Sequence, residues 1–500
     1  AQYRYDLMGR KIEVNHVDAG RRRVVFNARG EIARSLDASD RSVDMSYDAI
    51  RRITETRVEG VVTERYFYDC GAGANLIGRL ARVEDEAGAT ALSYTARGLI
   101  ESKTREISTL NGTSAFTVAY QYDSLDRMTH LTHPGGVPVE YTYNERSLVN
   151  RIDGFIESIE YNEFGQRTRT VFANGAEQQD TFDAATYYLQ HSRITGPAGP
   201  APYYEMSYSY DAAGNPLSIT DHVTTAGHAQ HQRQFTYDAL SRLRQSQGTL
   251  NGAPFQHSFT YDAAGNFTRN EEFSGDDLFL EGAGSNRIRG TESGGVQTQL
   301  FGYDAGGSIT STPDATLDYD ARGRLRRLTR TNGTVVEFTY DHQGERVRKR
   351  VTVGGVTRET LYVDGILEVD DGQTTRFVFH NDSRIAAVRD TGTLFYHHDH
   401  LGSTVLATSG AGDVVQEVAY LAFGAVAHHS GPDAPEFGFL GNEADADTGL
   451  VYCQSRYYEP RLGRFISPDA FLLLNPETVL ETPCGLNLYA YAGNNPVKLV

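Results

Sequence analysis

At 500 residues the chain exceeds what one ordinary hydrophobic core serves, so it calls for several domains or one large repetitive architecture. A formal net charge of -18 argues against a phosphate-binding surface and hence against a nucleic-acid partner. No stretch approaches the roughly 18 apolar residues of a membrane-spanning helix, and nothing at Ala1 resembles a signal peptide. With 39% hydrophobic residues, 30 Tyr against 23 Phe, no Trp and 50 Gly, the balance favours strands and turns. Cys70, Cys453 and Cys484 are odd in number, scattered and without metal or redox spacing, and read as structural thiols.

The chain opens on "YRYDLMGRKIEV" and continues through "MSYDAIRRITET" and "YFYDCGAGANLIGRLARV". Each places an aromatic, any residue and Tyr-Asp before a turn, then an Arg before aliphatics. Because Ala1 lies inside such a unit, a native N-terminus upstream is expected and targeting is not readable. Asp6, Asn27, Asp48 and Asp69 fall 21 residues apart. Later copies read "YQYDSLDRMTHL", "YTYNERSLVNRI", "YSYDAAGNPLSI", "FTYDALSRLRQS", "FTYDAAGNFTRN", "LDYDARGRLRRL" and "FTYDHQGERVRK". Recurrence on this scale marks a repeat architecture.

The unit has a mechanical reading. Alternating aromatic and polar residues before the Asp predict a strand with its aromatics on one face. Asp or Asn opens the turn by accepting a bond from backbone two residues on, and the following Gly takes positive φ. About twenty residues then suit two short strands and two turns, a hairpin that stacks on its neighbours. Stacked hairpins make one long antiparallel sheet, which must coil, close or split. The modest apolar supply fits a thin wall better than a thick sandwich. The tyrosines read as packing and the aspartates as turn formers, although exposed aromatic faces also suit sugar rings.

From Leu361 the strands lengthen: "LYVDGILEV", "RFVFHNDSRIAAV" and "LFYHHDHLGSTVLATSGAGDVVQEVAYLAFG" are separated by Asp-Gly, Asn-Asp and Gly-Ala-Gly-Asp turns. His397, His398 and His400 raise zinc as a question, with His398 and His400 on one face of a strand, but no third and fourth ligand accompanies them. His428 and His429 read as a loop pair. No metal and no cofactor is assigned.

The stretches "HHDHLGSTVLATSGAGDVVQEVAYLAFG", "FGFLGNEADADTGLVYCQSRYYEPRLGRFISPDA" and "GLNLYAYAGNNPVKLV" resemble the core domain of RHS/YD-repeat proteins. That family includes bacterial polymorphic-toxin RHS proteins, the C components of ABC-type toxin complexes and, more distantly, the teneurins. The resemblance implies an all-β fold in which YD-repeat hairpins form a spiralling antiparallel sheet around a hollow shell. Residues 1–360 would form the repeat shell, and residues 361–500 a core domain that curls inward as an end plug. It implies a C-terminal toxin cargo held in cis, a B-type component or secretion apparatus as partner, and secretion or delivery to a target cell.

The resemblance also implies self-cleavage behind the core domain by a pair of aspartates. The first maps onto Asp469. The second belongs to an Asp-Pro-x-Gly-Leu segment expected just past Val500. Two close carboxylates share one proton, so one acts as acid while the other activates water. Of Arg456, Arg461 and Arg464, one is expected to orient the carboxylates while the others pair with acidic groups or stack on Tyr457 and Tyr458. Asn487, Tyr489, Asn494, Asn495 and Pro496 form the plug motif, with the Asn-Asn-Pro turn presenting the second Asp. Ala470, where the family mostly has Pro, and the insert "FLLLNPETVLETPC" depart from its pattern. The leading function is a toxin-encapsulating shell with self-cleavage. A teneurin-like adhesion module without cargo or cutting is the alternative, and a glycan-active enzyme lacks a carboxylate pair.

Overall fold

The computed structural model describes residues 1–499 except 225–227, 229, 283, 432–435 and 476–485. Cys484 and most of the insert after Ala470 therefore lie outside the described residues. Among the described residues, a sheet of 27 strands runs from Gln2–Tyr5 to Val296–Thr298, and one of 14 strands from Gly302–Tyr303 to Val426–Ser430. Each strand pairs antiparallel with its neighbour in sequence, as Ser42–Tyr47 does with Ile53–Val58 and Gln232–Tyr237 with Leu243–Leu250. The all-β, spiralling hairpin sheet expected from the repeats is the observed fold.

The turn chemistry explains the repeat. Asp6 Oδ1 accepts from the N–H groups of Met8 and Arg10, both at 2.9 Å, while Oδ2 accepts from Arg10 Nε at 2.6 Å. The same three bonds form at Asp48 with Ile50 and Arg52, and at Asp123 with Leu125 and Arg127. The turn thus satisfies its own backbone and neutralises its own charge. The arginine then lies over an aromatic ring of the next repeat: Arg52 is 4.2 Å from the Tyr68 ring centroid and Arg127 4.6 Å from that of Tyr143. That ring's hydroxyl reaches back across the sheet, Tyr143 to Met128 O at 2.6 Å and Tyr261, which lies under Arg242, to Leu243 O at 2.7 Å. Tyrosine, aspartate and arginine therefore link each hairpin to the next. The role of the arginine was not part of the sequence reading.

The strip coils on itself, and one coil seats on the following one. Asp18 Oδ1 accepts from Ser285 Oγ and Asn286 N–H, Arg41 donates to Tyr319 O, Arg322 pairs with Glu64, Lys103 with Asp364, and Asn174 donates to Thr408 Oγ1. Partners along this seam lie 234 to 278 residues apart. Gly307 shows how close the coils come: a Cβ there would stand 2.1 Å from Asp18 O, and its φ of +88° is one that favours glycine.

After the wall strand Val426–Ser430, the chain turns inward. Strands Glu443–Asp445, Leu450–Cys453, Arg456–Glu459 and Arg464–Phe465 form a separate four-stranded sheet. Its Tyr457, Tyr458, Leu462 and Ile466 share one buried cluster with the wall residues Phe259, Phe267, Phe338 and Phe423. The expected boundary at 360/361 falls inside the strand Val356–Val363, which continues the sheet without interruption.

Candidate functional site

Asp469 stands at the N-cap of the short helix Ala470–Leu474. Its Oδ1 accepts from Leu472 N–H at 3.0 Å, and its own N–H donates to Leu488 O at 2.9 Å. Pro468 before it and Ala470 after it suit this entry, because proline biases its predecessor away from helix and an acidic cap satisfies an otherwise free N–H. Oδ2 pairs with Arg456 at 2.8 Å. The Arg456 guanidinium lies 3.6 Å from the centroid of the Phe465 ring and also reaches Leu488 O. Burial pulls Arg456 below its ordinary pKa, and the Asp469 charge opposes that shift.

The three arginines therefore separate. Arg456 contacts Asp469. Arg461 is exposed, and its backbone N–H donates to Glu459 Oε1. Arg464 is only 3% exposed and donates to Asn286 O, Asn266 Oδ1 and Asn487 Oδ1, at 2.9 to 3.0 Å. Burial lowers its pKa, with Tyr303, Tyr489 and Asp18 opposing.

The plug residues are brought together as fasteners to the wall. Asn487 Nδ2 donates to Asn266 Oδ1 at 2.8 Å, and Tyr489 Oη to Gly307 O at 2.7 Å. Asn494 Nδ2 donates to Gly265 O, and Asn495 Nδ2 to Asn215 Oδ1, each at 2.8 Å. Pro496 is buried beside them. Asn215 and Asn266 occupy the place that arginine takes in other YD turns: each still donates to its turn aspartate, Asp211 or Asp262, but leaves its amide oxygen for the inner strip. The twice-occurring "YDAAGN" is the sequence signal for this.

A second anchor was also missed. Glu272, buried in the wall, accepts from the N–H groups of Ala422 and Phe423 at 2.9 and 3.2 Å, and burial pushes its pKa up to about 7. The neighbouring Asn270 Nδ2 donates to Arg461 O and Leu462 O.

The histidines serve packing. His397 Nε2 bonds Thr408 Oγ1 at 2.9 Å and His400 Nε2 bonds Val497 O at 3.0 Å. Burial pushes His397 and His398 down to about 3. His400 lies beyond the strand Gly392–His398 rather than on it.

The Teneurin YD-shell family model matches residues 186–497. Toxin subunit YenC1 of Yersinia entomophaga is 25% identical over 416 residues, covering 69% of this chain and 42% of YenC1. Teneurin-3 of Danio rerio is 26% identical over 225 residues, 43% of this chain and 8% of that protein. The chain therefore spans less than half the length of either relative. Among solved structures, TcdB2-TccC3 superimposes with a TM-score of 0.86 at 21% identity, covering 100% of this chain and 29% of that one, which establishes a common fold. With more than half of its length matched by the family model, the chain belongs to the Teneurin YD-shell family.

Proposed function

We propose that this chain is the shell part of a longer protein that encloses a C-terminal toxin and cuts itself behind the inner strip. Residues 1–360 would act as repeat shell and 361–500 as the domain carrying the plug. The observation that carries the reading is the setting of Asp469. It sits on the inward-turned strip, fixed by Arg456, a helix cap and the Leu488 carbonyl, while the residues from Asn487 to Pro496 are clamped to three wall turns. A segment following Val500 would leave the clamp from a fixed point, and an Asp-Pro-x-Gly-Leu sequence there would supply the second carboxylate. The pair would then share one proton and activate water. The similarity to a toxin subunit supports delivery to a target cell, with a shell-completing component or a secretion apparatus as partner.

The test is expression of the reading frame extended past Val500, with Asp469→Asn beside it. The wild type is expected to appear as two fragments and the variant as one intact chain of unchanged circular dichroism. Equal cutting in both removes Asp469 from the mechanism. An intact wild type favours the adhesion reading, which the similarity to Teneurin-3 also supports.

A further inference from the structure

The inner strip leaves the wall by a root that runs from Glu436 to Glu443. The wall holds its backbone at three points: Thr404 N–H donates to Gly438 O at 3.0 Å, Ser403 Oγ accepts from Leu440 N–H at 3.1 Å, and Arg384 Nη1 donates to Gly441 O at 3.1 Å. Arg384 also lies over the rings of Phe437 and Phe377, 3.3 and 4.5 Å from their centroids. This seating brings two carboxyl groups of the root, Glu436 and Glu443, against a third, Glu368 of the wall strand Leu367–Asp370.

Cations match only two of the three. Glu443 pairs with Arg346 and accepts from Tyr362 Oη at 3.1 Å, while Glu436 pairs with Arg389 at 3.1 Å. Lys349 is engaged by Asp445 and Asp447, at 3.5 and 3.2 Å. Glu368 is only 7% exposed, and its Oε2 is buried with no hydrogen-bond partner. Its carboxyl group meets that of Glu436. Two touching carboxylates cannot both stay ionised out of water, so the contact calls for a proton. Burial, followed by the charges of Glu436 and Glu443, raises the Glu368 pKa well above the ordinary 4.5, with Lys349 opposing. Tyr362, Tyr396 and Arg384 complete the titratable groups around it; burial raises both tyrosines, which stay neutral, and lowers Arg384 to about 10, which stays charged.

We propose that Glu368 and Glu436 form a proton-held latch at the root of the inner strip: one proton shared by the pair fastens root to wall in acid, and its loss as pH rises sets the two carboxylates against each other and frees the root. The latch does not depend on the cleavage reading, because it would equally hold a strip that never cuts. Once the root opens, Glu368 meets water and returns to the ordinary carboxyl range, so opening releases a proton. The latch is therefore fully closed below about 4.5 and is lost as pH rises through the folded pKa, the opening constant growing by up to about tenfold per pH unit between the two.

The chain has no Trp, so Phe437→Trp places a single fluorescent reporter in the root. Urea titration of its emission between about pH 5 and pH 8 gives the opening constant of the reporter chain, alone and with Glu368→Gln, whose amide keeps the size of the neutral acid and donates to Glu436. The two are expected to agree at about pH 5, and at about pH 8 the Gln chain is expected to open at least about tenfold less readily. An equal pH response in both overturns the latch. Glu272 titrates in the same range but is present in both chains and cancels in the comparison. Glu436→Gln, which removes the neighbouring charge, is expected to move the transition of the reporter chain to lower pH, and an unmoved transition overturns the pairing. Should Glu368→Gln fail to fold, Glu368→Met also removes the titrating group: a flattened pH response is expected, and a response like that of the reporter chain overturns the proposal.

Discussion

The wall and the inner strip solve the same problem, satisfying buried polar groups, in opposite ways. In the wall, the Asp123 side chain finds its partners two and four residues on, and Arg127 reaches no further than the next repeat, at the Tyr143 ring and Ser147 Oγ. In the strip, Arg464 reaches 178 and 198 residues back, and Asn494 and Asn495 reach 229 and 280. Local bonds make each hairpin nearly self-sufficient and the assembly tolerant of a weak copy. Long-range bonds make the strip cooperative, because its groups are satisfied only when the coil is complete.

The contrast is broken most forcefully at Arg464. Replacing it by Met leaves Asn266, Asn487 and the Asn286 carbonyl buried with fewer partners. A loss of about 4 kcal/mol is expected, visible as a lower denaturant midpoint and as protease cleavage between residues 450 and 499 before the wall is attacked.

Glu272 sharpens the comparison through pH. Its folded pKa of about 7 lies above the ordinary 4.5, so between these values the folded state holds a proton that the unfolded chain has released. Stability from this anchor is therefore fully present below about 4.5 and falls as pH rises to about 7, by about 3 kcal/mol at most. The nearby His257, 3.9 Å away, is itself held below its ordinary pKa chiefly by burial. Glu272→Gln should flatten the pH dependence of Tm over that window. An unchanged slope would remove Glu272 as its source.

The smallest effect belongs to a wall arginine. Arg127→Lys keeps the charge but loses the planar fork over Tyr143 and its fixed fit to Asp123. Since both partners are partly exposed, a cost of about 0.5 kcal/mol is expected in chemical unfolding.

These predictions follow how much could be read from the sequence. The turn aspartates and the strand alternation were legible because their causes lie within a few residues. The inward position of the last segment came with the family resemblance. What escaped depends on coil closure. Arg456, Arg461 and Arg464 are equivalent on paper, and they separate only because the strip buries 456 against Asp469 and 464 against the Asp262–Asn266 turn. Glu272 follows another glutamate and reads as surface charge until the Leu421–Ala425 turn is laid upon it. Tyr319 looks like every other repeat tyrosine, and that its buried hydroxyl lacks the bond the others make shows only in the folded coil.

The seam between coils has a consequence for how such a strip can change its length. Asp18 must meet Ser285, Arg41 must meet Tyr319, and Asn174 must meet Thr408, so the circumference works like the tooth count of a gear. A hairpin added or removed between residues 174 and 285 would lie inside all three of these spans and move each partner out of phase with its mate, even though the hairpin itself folded perfectly well. Only an opposite change within the same lap would bring the teeth back into mesh. Length in this wall is therefore set by the lap, and single repeats are not free to come and go.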